Sequence, residues 1–241
     1  MIKGKKAIFE AIQANIPINR IVVSDSAKQG PDFKTIQALA IQKKISLQVI
    51  PSQNFSDLTD EQQTQGIIAY AKDYQFGSLN DVIDNPEDNP IVVVTDHLED
   101  PYNFGAIIRT AEVLGVKSII FPKDRNVALT PGVIKTSSGA VYHTNLIRVT
   151  NLNQSLRTLK KAGYWIYTTD VEKGTPLTQF SPNFPMVIIV GNEKKGVAPI
   201  LAKQADDFLH ISQKGKIESL NVSVATGIIL HTLTEKREAS Q

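Results

Sequence analysis

Cysteine is absent from this chain of 241 residues. Its absence excludes disulfide staples, thiolate metal sites and a cysteine nucleophile, and it fits a reducing compartment. Long apolar runs are also missing. The longest, Ile91-Val92-Val93-Val94 and Met186-Val187-Ile188-Ile189-Val190, are strand-sized and far too short to span a membrane. The start, Met1-Ile2-Lys3-Gly4-Lys5-Lys6, is basic but lacks the apolar core of a secretory signal, so a soluble, cytoplasmic protein is expected. Neither GxGxxG after a first strand nor GxxxxGK[ST] occurs, which removes the usual phosphate cradles of dinucleotide and P-loop proteins. The four histidines, His97, His143, His210 and His231, are scattered, and no metal site is expected. Internal repeats and low-complexity tracts are absent.

An apolar content of 41% supplies a real core, and 21% charge argues against disorder. The length allows one large domain or two ordinary ones. Net charge is only +2, yet it is unevenly spread. Residues 1–76 carry nine bases against seven acids, residues 77–90 four acids and no base, and residues 91–241 seventeen bases against thirteen acids. Two mildly basic lobes flanking an acidic strip permit phosphate contacts without demanding them.

The acidic strip Gly77–Pro90 holds two prolines and little apolar periodicity, and it reads as a linker. Before it, helices are expected at 7–14 and 33–43, and strands at 21–23, 47–50 and 66–71, a small α/β layer. After it, strands are expected at 91–95, 118–121, 146–149, 165–168, 186–190 and 208–211. Helices are expected at 104–114, 131–135, 152–161 and 198–204, with a last one from Ser219 onward. Strands alternating with helices predict an open parallel α/β sheet, whose ligands sit beyond the carboxyl ends of its strands.

Three segments stand out. In Ile217-Glu218-Ser219-Leu220-Asn221-Val222-Ser223-Val224-Ala225, Ser219 is a natural helix cap, and Asn221 falls in the first turn, where capping does not require it. In Gly191-Asn192-Glu193-Lys194-Lys195-Gly196, glycines at both ends allow a tight turn and close approach to a ligand. In Asp100-Pro101-Tyr102-Asn103-Phe104-Gly105-Ala106-Ile107-Ile108-Arg109-Thr110-Ala111, Asn103 can cap a helix. Arg109 interrupts its apolar run, and an arginine there either snorkels to solvent or anchors an anion.

Together these segments resemble the SpoU/TrmH family of RNA ribose 2′-O-methyltransferases, within the SPOUT group. Residues 103–111 match Asn-x-Gly-x-x-x-Arg-Thr-Ala, 191–196 match Gly-(Ser/Asn)-Glu-x-x-Gly, and 219–225 match Ser-Leu-Asn-Val-Ser-Val-Ala. The resemblance covers about residues 90–238. Gly4–Ala11 and Gln65-Gly66-Ile67 resemble, more loosely, the L30e-like substrate-binding domain of the branch that methylates rRNA guanosines.

The resemblance implies a domain at 1–76 that grips RNA, and a methyltransferase domain at 91–241 whose parallel sheet carries a trefoil knot. It also implies S-adenosylmethionine as cofactor, held by Gly191, Ile211 and Leu220 with Thr168 and Thr169 as neighbours. Arg109, Asn103, Glu193, Ser219 and Asn221 become the catalytic set, and the protein a homodimer in which Arg109 serves the partner. Arginine is a poor base, its side-chain pKa lying above ~12, so Arg109 reads first as a phosphate or hydroxyl anchor. The substrate implied is a 23S rRNA guanosine; the rivals are a tRNA methyltransferase and a non-catalytic RNA-binding assembly factor. Three positions depart from the family pattern. Lys194 stands where glycine is common, Ser212-Gln213 where Pro-Met is common, and Thr64 where histidine precedes Gln-Gly.

Overall fold

The computed structural model describes residues 1–13, 16–59, 64–71, 74–192, 195–217 and 219–239. Within it the chain divides between Gln75 and Phe76 into two units. The first runs β1 (Ile2–Lys3), α1 (Lys5–Gln13), β2 (Ile18–Ser24), α2 (Pro31–Gln42), β3 (Ser46–Ile50), α3 (Ser52–Ser56) and β4 (Ile67–Ala71). Its sheet has the order β1-β4-β2-β3. Only β2 and β3 are parallel, because β4 returns antiparallel to both β1 and β2. β2 shows why the layers form. Ile21 and Val23 pack with Ile8, Ile12, Phe33 and Ile36 of α1 and α2. Val22, on the alternate face, meets Phe55 of α3 and Ile68. Gln65, with φ of +54°, reaches back so that its Oε1 accepts the Lys5 N–H at 3.2 Å, satisfying a free donor at the start of α1.

The second unit contains α4 (Leu79–Ile83), β5 (Ile91–Thr95), α5 (Pro101–Val113), β6 (Ser118–Pro122), α6 (Pro131–Thr136) and β7 (Asn145–Val149). There follow α7 (Leu152–Lys161), β8 (Trp165–Thr169), β9 (Thr175–Pro176), β10 (Met186–Val190), α8 (Pro199–Ala202), β11 (Asp207–His210) and α9 (Val222–Glu238). Among the described residues, its strands form one wholly parallel sheet in the order β7-β6-β5-β10-β8-β11-β9. β5, β6 and β10 are buried at every position, which is why their sequences are apolar runs without alternation. α7 is amphipathic: Leu152, Leu156 and Leu159 face the core, Asn151 caps its start and Lys160 and Lys161 complement its end.

The strand order reverses around β10. After β5 the chain steps outward to β6 and β7, then crosses to β8, and β10 fills the place between β5 and β8. Such a reversal opens a crevice beyond the carboxyl ends of the strands.

The segment 77–90 is not a free linker. Gly77 bridges to Ile147, and its N–H donates to Leu146 O at 3.0 Å. α4 buries Val82 in the sheet's core cluster, and Asn89 is buried against Ser118. Its acids serve folding: Asp81 accepts from the Ser78 N–H and hydroxyl, and Asp88 pairs with Lys117 at 2.8 Å. Among the described residues no helix is long and apolar enough to cross a membrane.

Candidate active site

The carboxyl ends of β8, β10 and β11 and the approach to α9 enclose a cleft of about 840 Å³. That is within the range of sites for small-molecule ligands. Gly191, Ile211, Leu220, Thr168 and Thr169 all line it, and so does Ser219. Thr169 Oγ1 donates to Ile189 O at 3.2 Å. Thr168 is fully buried, yet its hydroxyl has no hydrogen-bond partner among the described residues. A buried, unpartnered hydroxyl on a residue that lines a cleft fits a ligand that supplies a partner. Gly191 is required by close approach: a Cβ there would lie 2.2 Å from Gly196 C and 2.3 Å from Val197 N. The turn it opens is tied by Asn192 and Gly196, which exchange backbone hydrogen bonds of 3.0 and 2.8 Å.

Asp170 also lines the cleft and escaped sequence reasoning. Burial pulls its pKa upward, but hydrogen bonds from the Glu172 and Lys173 N–H groups and the nearby Lys173 charge outweigh that. The net shift is downward, so Asp170 presents an ionised carboxylate. Its place just after a buried strand was the available signal.

Two helix starts meet beside the cleft, and each differs from expectation. α9 is capped by Asn221, whose Oδ1 accepts from the Ser223 N–H at 2.9 Å and the Val224 N–H at 3.4 Å. Ser219 is therefore not the cap; it is exposed, two residues upstream. α5 is capped by Asp100, which accepts from the Tyr102 N–H at 2.9 Å, with Pro101 at the first helical position. Asn103 thus sits inside the first turn, where its Oδ1 accepts from Asn221 Nδ2 at 2.9 Å. The fold joins two motif asparagines 118 residues apart.

Gly105 allows α5 to press on α6, since a Cβ there would come within 2.7 Å of Thr136 Cβ. Arg109 is exposed, lies outside the cleft lining and makes no ion pair among the described residues. The helices α5 and α9 expose Tyr102, Val113, Val224 and Ile228, while Ile229, Leu230 and Leu233 of α9 are buried. Glu193, Lys194 and Glu218 lie outside the described residues.

Residues 90–231 match the SpoU rRNA Methylase family, and residues 1–77 match the family described as RNA 2′-O ribose methyltransferase substrate binding. A Staphylococcus saprophyticus protein assigned to the TrmH family of tRNA/rRNA methyltransferases is 35% identical over 240 residues, spanning 98% of this chain and 96% of its own. The SpoU methyltransferase AviRb from Streptomyces viridochromogenes, solved with the cofactor AdoMet, superposes with a TM-score of 0.71 at 19% identity, over 99% of this chain and 90% of its own. An AdoMet-bound rRNA methyltransferase from Sinorhizobium meliloti gives a TM-score of 0.68 at 23% identity, over 99% and 87%. The chain belongs to the SpoU rRNA Methylase family.

Proposed function

We propose that this member of the family methylates a ribose 2′-hydroxyl in structured RNA, with S-adenosylmethionine bound in the cleft and a 23S rRNA guanosine as target. The observation that carries the reading is the meeting of all three motif segments at one cleft edge, with Asn103 and Asn221 hydrogen-bonded and Gly191, Leu220 and Thr168 lining the space beside them. The cleft's chemistry fits the cofactor. Thr168 offers an unpartnered hydroxyl, and the ionised Asp170 suits a ligand bearing cationic sulfonium and ammonium groups.

Bound there, S-adenosylmethionine supplies a methyl group that an oxygen nucleophile can take directly. The chain's own residues then place the ribose and manage its proton. Asn103 and Asn221 hold one another and orient the hydroxyl, Ser219 lines the entry, and Glu193 and Arg109 complete the set. Arg109 lies outside its own cleft, and the helices α5 and α9 expose Tyr102, Val113, Val224 and Ile228. That arrangement supports a homodimer in which Arg109 works at the partner's site, anchoring phosphate or hydroxyl. Residues 1–76 would form the L30e-like RNA grip, and the segment around Leu220 the knot that wraps the cofactor.

Arg109→Ala should abolish methylation and leave S-adenosylmethionine binding nearly intact; preserved turnover removes Arg109 from the mechanism. Mass-spectrometric mapping of ribose methylation in total RNA, with and without the protein, identifies the target. A mark lost from tRNA instead would overturn the rRNA assignment, and calorimetry showing no cofactor binding would favour an assembly factor.

A further inference from the structure

Immediately after β5, Asp96 is 2% exposed and both of its oxygens are engaged. Oδ2 accepts the Ala198 N–H at 2.6 Å, and Oδ1 meets Nδ1 of His97. The next carbonyl, His97 O, accepts from Asn192 Nδ2 at 2.9 Å, while Asn192 Oδ1 takes the Lys195 N–H at 3.2 Å. The turn that follows β10 is thus gripped near both ends by two consecutive residues following β5. His97 adopts a φ of +56°, a left-handed conformation that few non-glycine residues adopt. Three residues further on, Asp100 caps α5, which carries Asn103 and Arg109. Sheet formation does not require this side-chain network, because the Asp96 N–H already continues the ladder by donating to Val190 O at 2.9 Å. A buried carboxylate is costly unless its oxygens are matched; here one is matched to Ala198, next to the cleft-lining Val197, and the other to His97.

We propose that Asp96 is a positioning residue of the methyl-transfer site. With Asn192 it latches the cleft-wall turn, which includes Gly191, Gly196 and Val197, to the segment that leads into α5. The latch fixes the cofactor side of the cleft relative to Asn103. This inference rests on the methyl-transfer reading above for its function, but not for its geometry.

The test uses the full chain with Asp96→Ala and Asp96→Asn, followed by amide hydrogen exchange without cofactor and by calorimetric titration with S-adenosylmethionine. In Asp96→Ala, exchange at the Ala198 and Lys195 amides should rise at least about tenfold while Val93 and Ile188 keep their protection. The Kd for S-adenosylmethionine should rise at least about tenfold. Asp96→Asn keeps an acceptor for the Ala198 N–H and should recover affinity to within about threefold. Unchanged affinity in Asp96→Ala, or equal weakening by both variants, overturns the latch. If Asp96→Ala does not fold, Asn192→Ala removes the other leg; it should weaken binding severalfold, and unchanged binding again overturns the proposal. A wild-type protein that binds no S-adenosylmethionine overturns the methyl-transfer reading instead, and exchange at Ala198 alone then decides whether the latch exists.

Discussion

Ser118 and Thr168 are both fully buried hydroxyl residues in strands of one parallel sheet, and the fold treats them differently. Ser118, at the amino edge, donates to Asn89 Oδ1 at 2.6 Å. Close by, the Tyr164 hydroxyl is shared between Val82 O and Asn89 O, each at 3.1 Å. Burial pushes the Tyr164 pKa up to about 12, so it remains a donor at any physiological pH. Thr168, toward the carboxyl edge, has no partner among the described residues, and neither does Thr95 at the end of β5. Left-handed His97 and the close-packed Gly191 turn lie at that same edge. One edge has its buried polar groups matched, as stability demands. The other keeps unmatched hydroxyls, as binding sites do. The two edges therefore answer to different requirements, and substitutions should separate them.

The largest effect should come from Gly191→Ala. Its Cβ would lie 2.2 Å from backbone carbon, so the Gly191–Val197 turn must open, and calorimetry should show S-adenosylmethionine affinity lost by about a hundredfold or more. An affinity within about threefold of wild type would show that the turn is not the cofactor wall. At the opposite edge, Ser118→Ala strips Asn89 Oδ1 of a buried donor. It should cost about 1–3 kcal/mol in denaturant unfolding and leave cofactor affinity unchanged. Weakened binding in a stably folded Ser118→Ala protein would erase the distinction between the edges.

How much of this was visible in the sequence depended on how local the information was. Met186–Val190 and Leu152–Lys161 have the bounds that their apolar patterns predict, because burial on both faces or on one helical face is written residue by residue. The cap of α9 is ambiguous in the sequence because Ser219, Asn221 and Ser223 are all cap formers two residues apart; in the fold it is Asn221. The cap of α5 was available in Asp100-Pro101, a cap former followed by proline at the first helical position. Residues 77–90 have the polarity of a linker, but Asp81 holds the start of α4 at the surface and Asn89 spends its polarity inside the fold. The insertion of β10 between β5 and β8, and the Asn103–Asn221 bond, are non-local, and no window of sequence encodes them.

Thr168→Val is the smallest and most discriminating test of the two edges. The substitution is nearly isosteric and replaces a buried, unpartnered hydroxyl with a methyl group. A partnered hydroxyl contributes about 1 kcal/mol, and its removal should lower stability by that much. An unpartnered one costs desolvation without return, so Thr168→Val should leave stability unchanged or raise it by up to about 1 kcal/mol. If the hydroxyl is kept for a ligand, the same variant should bind S-adenosylmethionine about five- to tenfold more weakly, the loss of one hydrogen bond. Stability and affinity would then move in opposite directions at one atom. A variant that loses stability and keeps affinity would instead assign Thr168 to the same structural class as Ser118.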